Sequence, residues 1–129
     1  METKSLYLLI TLTLFFNPIV FAQQDQPFVG VMLDSNPIPD LLVKHLKLSP
    51  AQGVRINNIV IGSPADTLGL DRDDIIIKFQ GSNVTDTQGF VDAVKKAGVG
   101  SKVTMQVIHL GDIKTYEFTL DTKPSGQSD

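Results

Sequence analysis

The chain has no cysteine among its 129 residues. That excludes disulfides, thiolate catalysis, cysteine-bound zinc and a lipid anchor on an N-terminal cysteine. Positive charge is not in excess either. Lys+Arg number 11 and Asp+Glu 14, a formal net charge of −3, so there is no basic footprint for nucleic acid or anionic lipid. Gly at 10 and Pro at 7 are near average usage, which excludes a collagen-like or low-complexity chain. No apolar run reaches the roughly 18–20 residues a spanning helix needs. What is present is 42% hydrophobic and 19% charged residues, the composition of one folded domain.

The first 22 residues differ from the rest. Lys4 precedes the apolar run Leu6–Phe16, interrupted only by Thr11 and Thr13, and Asn17-Pro18 then breaks any helix. Val20-Phe21-Ala22 places branched and small residues where a signal peptidase reads them. The expectation is a signal peptide over 1–22, a flexible leader over 23–27, a folded domain over 28–121 and a disordered polar tail over 122–129. The chain is then exported, to the periplasm of a bacterial envelope or beyond the cell. Kept uncleaved, the N-terminal segment is the one route to a membrane.

The rest alternates strand and helix signals. Phe28–Leu33 reads as a strand with a central glycine, and Asp40–Leu48 as a short helix with Asp40 as N-cap. Val54–Ile61 and Asp74–Gln80 read as strands. Between them, Gly62-Ser63-Pro64 opens one helical turn over Ala65–Leu68, closed by Gly69. Asp86 caps a helix over Thr87–Ala97 that ends at Gly98. Lys95 and Lys96 in its last turn complement the helix dipole. Lys102–Leu110 and Ile113–Leu120 form a hairpin about a Gly111-Asp112 turn. The fold class is α+β: a partly open barrel or sandwich of five to six strands, capped by two to three helices.

Three segments resemble the PDZ domain, in the form found in HtrA-like (Deg-type) periplasmic proteases. Phe28-Val29-Gly30-Val31 is similar to the family's carboxylate-binding loop. Gly62-Ser63-Pro64-Ala65, followed by Gly69-Leu70 and Asp74-Ile75-Ile76, resembles its most specific run. Gly81-Ser82-Asn83-Val84, leading to helix Thr87–Ala97 and Gly100, has its spacing. The departures are Asp73 for a usual Gly, Gln80-Gly81 for Asn-Gly, and Phe28 for the first Gly of many carboxylate loops. The resemblance spans about Pro27–Leu120 and carries no protease segment.

That likeness implies peptide binding by strand addition, and the residue chemistry agrees. Bare backbone N–H groups at a strand mouth bind a carboxylate, and Gly30 without a Cβ lets it approach. Phe28, Val29, Gly30 and Val31 are the expected carboxylate loop. Met32, Leu33, Thr87, Val91 and Val94 are the expected groove, with Phe90, Ala93 and Ala97 turned more toward the core. An all-apolar pocket predicts an apolar terminal residue. PDZ domains that select Ser or Thr at the third ligand residue from the end resemble one another in placing a His where this chain has Thr87. Weak hydroxyl selection follows from that difference.

Catalysis finds little support. Only His45 and His109 are available, no Gly-x-Ser-x-Gly elbow exists, and Ser63 has a structural reason in its turn. His45 reads as a packing residue on a short helix and His109 as solvated beside a hairpin. Asp71, Asp73 and Asp74 lack the regular ligand series of a calcium loop, so neither metal nor cofactor is expected. The expected function is a non-catalytic module binding C-terminal or extended apolar segments of other proteins. The alternatives are a structural or adaptor protein of an envelope or secretion assembly docking by another surface, and a separately encoded recognition subunit for an HtrA-like serine protease.

Overall fold

The computed structural model describes residues 26–122. The expected signal peptide, most of the leader and the tail beyond Thr122 lie outside the described residues. In chain order the elements are β1 (Pro27–Phe28), β2 (Val31–Leu33), α1 (Asp40–His45), β3 (Val54–Ile59), α2 (Pro64–Leu68), β4 (Ile75–Phe79), β5 (Ser82–Asn83), α3 (Thr87–Ala97), β6 (Lys102–His109), β7 (Asp112–Thr119) and β8 (Asp121–Thr122). The α+β expectation holds. The strand number is higher than expected because three strands are two-residue pieces: β1, β5 and β8.

The larger sheet runs β2-β3-β4-β6-β7, with β5 pairing beside β4, and all its pairings are antiparallel. Strand β2 is one edge. Pro27 pairs with Thr122 and Phe28 with Asp121, joining β1 to β8. Residues expected at the end of the leader and the start of the tail therefore close the domain together. Phe28–Leu33 is not one strand: Val29 and Gly30 interrupt it, with Gly30 at φ +88°.

Two apolar clusters hold the sheet. The larger contains Val29, Ile56, Ile76, Phe79, Phe90, Val94, Val103, Met105 and Leu120 beneath α3. Phe79 and Phe90 meet edge to face at 5.5 Å between ring centroids, the geometry the ring quadrupoles favour. On the other side Ile38, Ile75, Ile77 and Ile108 pack with Val43, Leu46 and Leu48 of the α1 region. The run Ile75-Ile76-Ile77 serves both clusters, which is why β4 is apolar but for Lys78.

Helix ends follow local chemistry where a cap is present. Asp86 Oδ1 accepts from Gly89 N–H, and Ser63 Oγ accepts from Asp66 N–H with Pro64 at the first helical position. Gly69 closes α2 in the left-handed region at φ +79°. Helix α1 is shorter than expected. It ends at His45, and its N-cap is Pro39, with no side-chain cap; Asp40 is the first helical residue. Lys47 at φ +54° turns the chain out of the helix before Leu48. The β6–β7 turn is Leu110-Gly111, not Gly111-Asp112, because His109 pairs with Asp112. Both turn residues have positive φ, +51° and +84°, as a two-residue hairpin requires.

Candidate functional site

A cavity of about 350 Å³ opens between the edge strand β2 and helix α3. The head of the cavity is Gln26, Pro27, Phe28, Val29 and Gly30; its walls are Val31, Leu33, Phe90, Val91, Val94 and Lys95. Val29 and Val94 are buried, and Val91 is 39% exposed on the rim.

The loop at its head is held from behind. Ala65 N–H donates to the Val29 carbonyl at 2.9 Å and Val60 N–H to the Gly30 carbonyl at 2.8 Å. The Ser63 hydroxyl lies 3.5 Å from the same Gly30 oxygen. The Gly-Ser-Pro-Ala segment is thus the backing of the loop, which explains why the two segments belong together. In an antiparallel ladder, residues bonded to the partner alternate with residues whose N–H and C=O face the other way. Gly30 bonds toward β3, so the Val31 N–H and C=O face the open edge. That edge can accept an added strand.

Of the nine expected site residues, the cavity gathers Phe28, Val29, Gly30, Val31, Leu33, Val91 and Val94. Met32 is not in the lining; it is 55% exposed on the opposite face, because strand side chains alternate. Thr87 is not in the lining either. It is half-buried one helical turn before Val91. Three groups were not expected. Phe90 belongs to the core and to the cavity wall at once. Gln26 and Pro27 enter through the β1–β8 pairing. Lys95 follows Val91 by four residues, so the stripe that suggested Thr87 and Val91 extends to it.

His109 is not solvated. Its Nδ1 lies 2.8 Å and 2.9 Å from the two carboxylate oxygens of Asp74, and the side chains are 12% and 4% exposed. The β4–β6 register, Ile75 opposite Ile108, brings the two residues side by side across the sheet. Asp74 also accepts from Asp71 N–H at 2.9 Å. The pair lies outside the cavity lining. His45 is exposed. No cluster of three or more metal-ligating side chains occurs among the described residues.

The sequence pattern of the PDZ domain matches residues 24–120. The chain belongs to the PDZ domain family. It is 30% identical over 102 residues to a probable periplasmic serine endoprotease DegP-like protein of Chlamydia pneumoniae, covering 79% of this chain and 20% of that protein. It is 32% identical over 110 residues to the serine protease Do-like HtrB of Bacillus subtilis, covering 81% of this chain and 24% of that protein. The chain thus spans about a fifth to a quarter of these relatives, over their PDZ region. Among solved structures it superposes on the HtrA-type protease AlgW with decapeptide at a TM-score of 0.65 and 19% identity, over 94% of this chain and 35% of that one. The HtrA3 PDZ domain bound to a phage-derived ligand, FGRWV, gives a TM-score of 0.58 at 21% identity, over 74% of this chain and 86% of that one. The fold is that of the HtrA PDZ domains.

Proposed function

We propose that this chain is an exported, non-catalytic PDZ module of the bacterial envelope that binds the C-terminal or extended apolar segments of other proteins. The observation that carries this reading is the open edge of β2 beside an apolar cavity headed by Gly30. A ligand strand pairs its backbone with Val31 and Leu33. Its carboxylate sits at the Val29–Gly30 loop, and its last side chain fills the space between Val29, Val31, Leu33 and Val94. Met32, whose backbone bonds to β3 and whose side chain lies on the other face, then takes no direct part. Two of the similar structures carry bound peptides in their descriptions, and relatives described as periplasmic support the location.

The test is a titration of apolar pentapeptides with a free carboxylate and with an amidated end. Groove binding predicts micromolar affinity for the free acid, about −8 kcal/mol, and a loss of at least tenfold on amidation. Equal affinity for both forms, unaffected by Val91→Glu, would place recognition on another surface, as expected of an adaptor whose groove is unused.

A further inference from the structure

The cavity has one charged side chain in its wall. Its other lining residues are apolar or neutral, and Lys95 stands among them with no ion pair among the described residues. The neighbouring charges on the same helix turn elsewhere. Asp92 accepts from Gln88 Nε2 at 2.9 Å, one turn apart on an exposed face, and neither residue lines the cavity. Lys96 is exposed and does not line it either.

We propose that Lys95 is the residue that selects a carboxylate-terminated ligand, its ammonium facing the terminal carboxylate while backbone N–H groups bind it. This rests on the groove reading above and goes beyond it in one respect. Backbone N–H groups already favour a carboxylate over a neutral amide oxygen, but they supply dipoles only. A full positive charge at the rim widens the difference between the two. The requirement is sharper here because the chain as a whole carries −3, which opposes an anionic ligand. Lys suits the position: Lys95 is exposed in the cavity wall, and a long apolar stem can follow such a wall while its ammonium stays in water. Placement four residues after Val91 puts both on one stripe of the helix.

Lys96 supplies the control, since Lys95→Gln and Lys96→Gln each remove one charge from the same helical turn. The probes are an apolar pentapeptide as the free acid, the same peptide amidated, and an amidated peptide ending in Glu. Lys95→Gln should weaken the free acid about three- to fivefold, the scale of a partly exposed ion pair. It should leave the amidated apolar peptide unchanged and flatten the salt dependence of the free acid. Lys96→Gln should do none of this. Equal effects of the two substitutions, or none from Lys95→Gln, would overturn the proposal while amidation still showed the groove in use. A loss confined to the Glu-ended amide would also overturn it, because Lys95 would then read a side-chain carboxylate. If the native protein binds the free acid and the amide alike, the carboxylate end of the groove reading fails and the proposal falls with it.

Discussion

Gly30 and Ser63 are in direct apposition. A Cβ built on Gly30 would lie 2.0 Å from Ser63 Cβ and 2.2 Å from Ser63 Oγ, and Gly30 sits at φ +88°. Both facts exclude a side chain at this position. Ser63 cannot withdraw easily, because it caps α2 and stands two residues before Ala65, whose N–H holds the Val29 carbonyl.

Gly30→Ala should therefore destabilise the fold by more than about 2 kcal/mol, from left-handed strain and overpacking together. It is a poor probe of carboxylate binding for that reason. Adding Ser63→Gly should recover part of the loss by removing the clashing atoms while the backbone strain stays. Urea midpoints of the single and double variants test this. A Gly30→Ala protein as stable as the parent would mean that the loop does not rest on Ser63.

Val91 is the rim residue best placed to separate binding from folding, being 39% exposed. Val91→Glu should lower affinity for an apolar free-acid peptide at least tenfold, about 1.4 kcal/mol, with the urea midpoint nearly unchanged. Calorimetry and denaturation on one preparation give both numbers. Unaltered affinity would remove α3 from the groove.

The two tight turns carry residues their geometry disfavours. Leu110 has φ +51° and is 88% exposed, and Gln80 has φ +52° ahead of Gly81. Leu110→Asn should stabilise by about 0.5–1 kcal/mol, since Asn tolerates the left-handed region. Gln80→Asn should gain less, because the Gln80 Oε1 that accepts from Thr104 N–H at 2.9 Å is lost. Thermal melting of the two variants should rank them in that order.

The Asp74–His109 pair ties the start of β4 to the end of β6. His109→Ala leaves a carboxylate that is 4% exposed with Asp71 N–H as its remaining bond partner. The expected cost is about 2–3 kcal/mol. A double-mutant cycle with Asp74→Ala should show coupling above about 1 kcal/mol. Additive losses would mean the contact contributes nothing of its own.

Asp34 controls part of the acid limb. Its carboxyl is held below the ordinary value of 3.8, first by the Asn36 backbone N–H and then by the Arg55 guanidinium. A lowered folded value means that the carboxylate contributes stability above 3.8 and loses it as pH falls through the folded value. Asp34→Asn should flatten that part of the stability–pH curve by lowering stability in the neutral region, the variant and the parent converging at low pH. A parallel acid limb in the variant would assign the dependence to other carboxylates.

Asp86, Ser63, Pro64, Gly69 and Gly98 were legible in sequence because capping and helix ending are local. Their chemistry acts within a few residues of the chain. The stripe on α3 and the glycine of the Phe28–Val31 segment were legible for the same reason, and joint spacing with Gly-Ser-Pro-Ala singled out residues that mostly line one cavity. The departures from family pattern also acquire meaning only locally. Asp73 and Gln80 both occupy positive φ, +75° and +52°, where the family's usual Gly and Asn relieve strain. What the tertiary structure alone decided are contacts between residues far apart in the chain: Ser63 behind Gly30, Asp74 beside His109, and Pro27 paired with Thr122. Sheet register sets the last two, and register is a property of the whole packed domain. A one-residue slip would send each of those side chains to the other face. Lys95 shows the same division. The spacing that puts it on the groove stripe is in the sequence, but only the position of β1 and β2 across the cavity makes it a wall residue rather than a dipole partner.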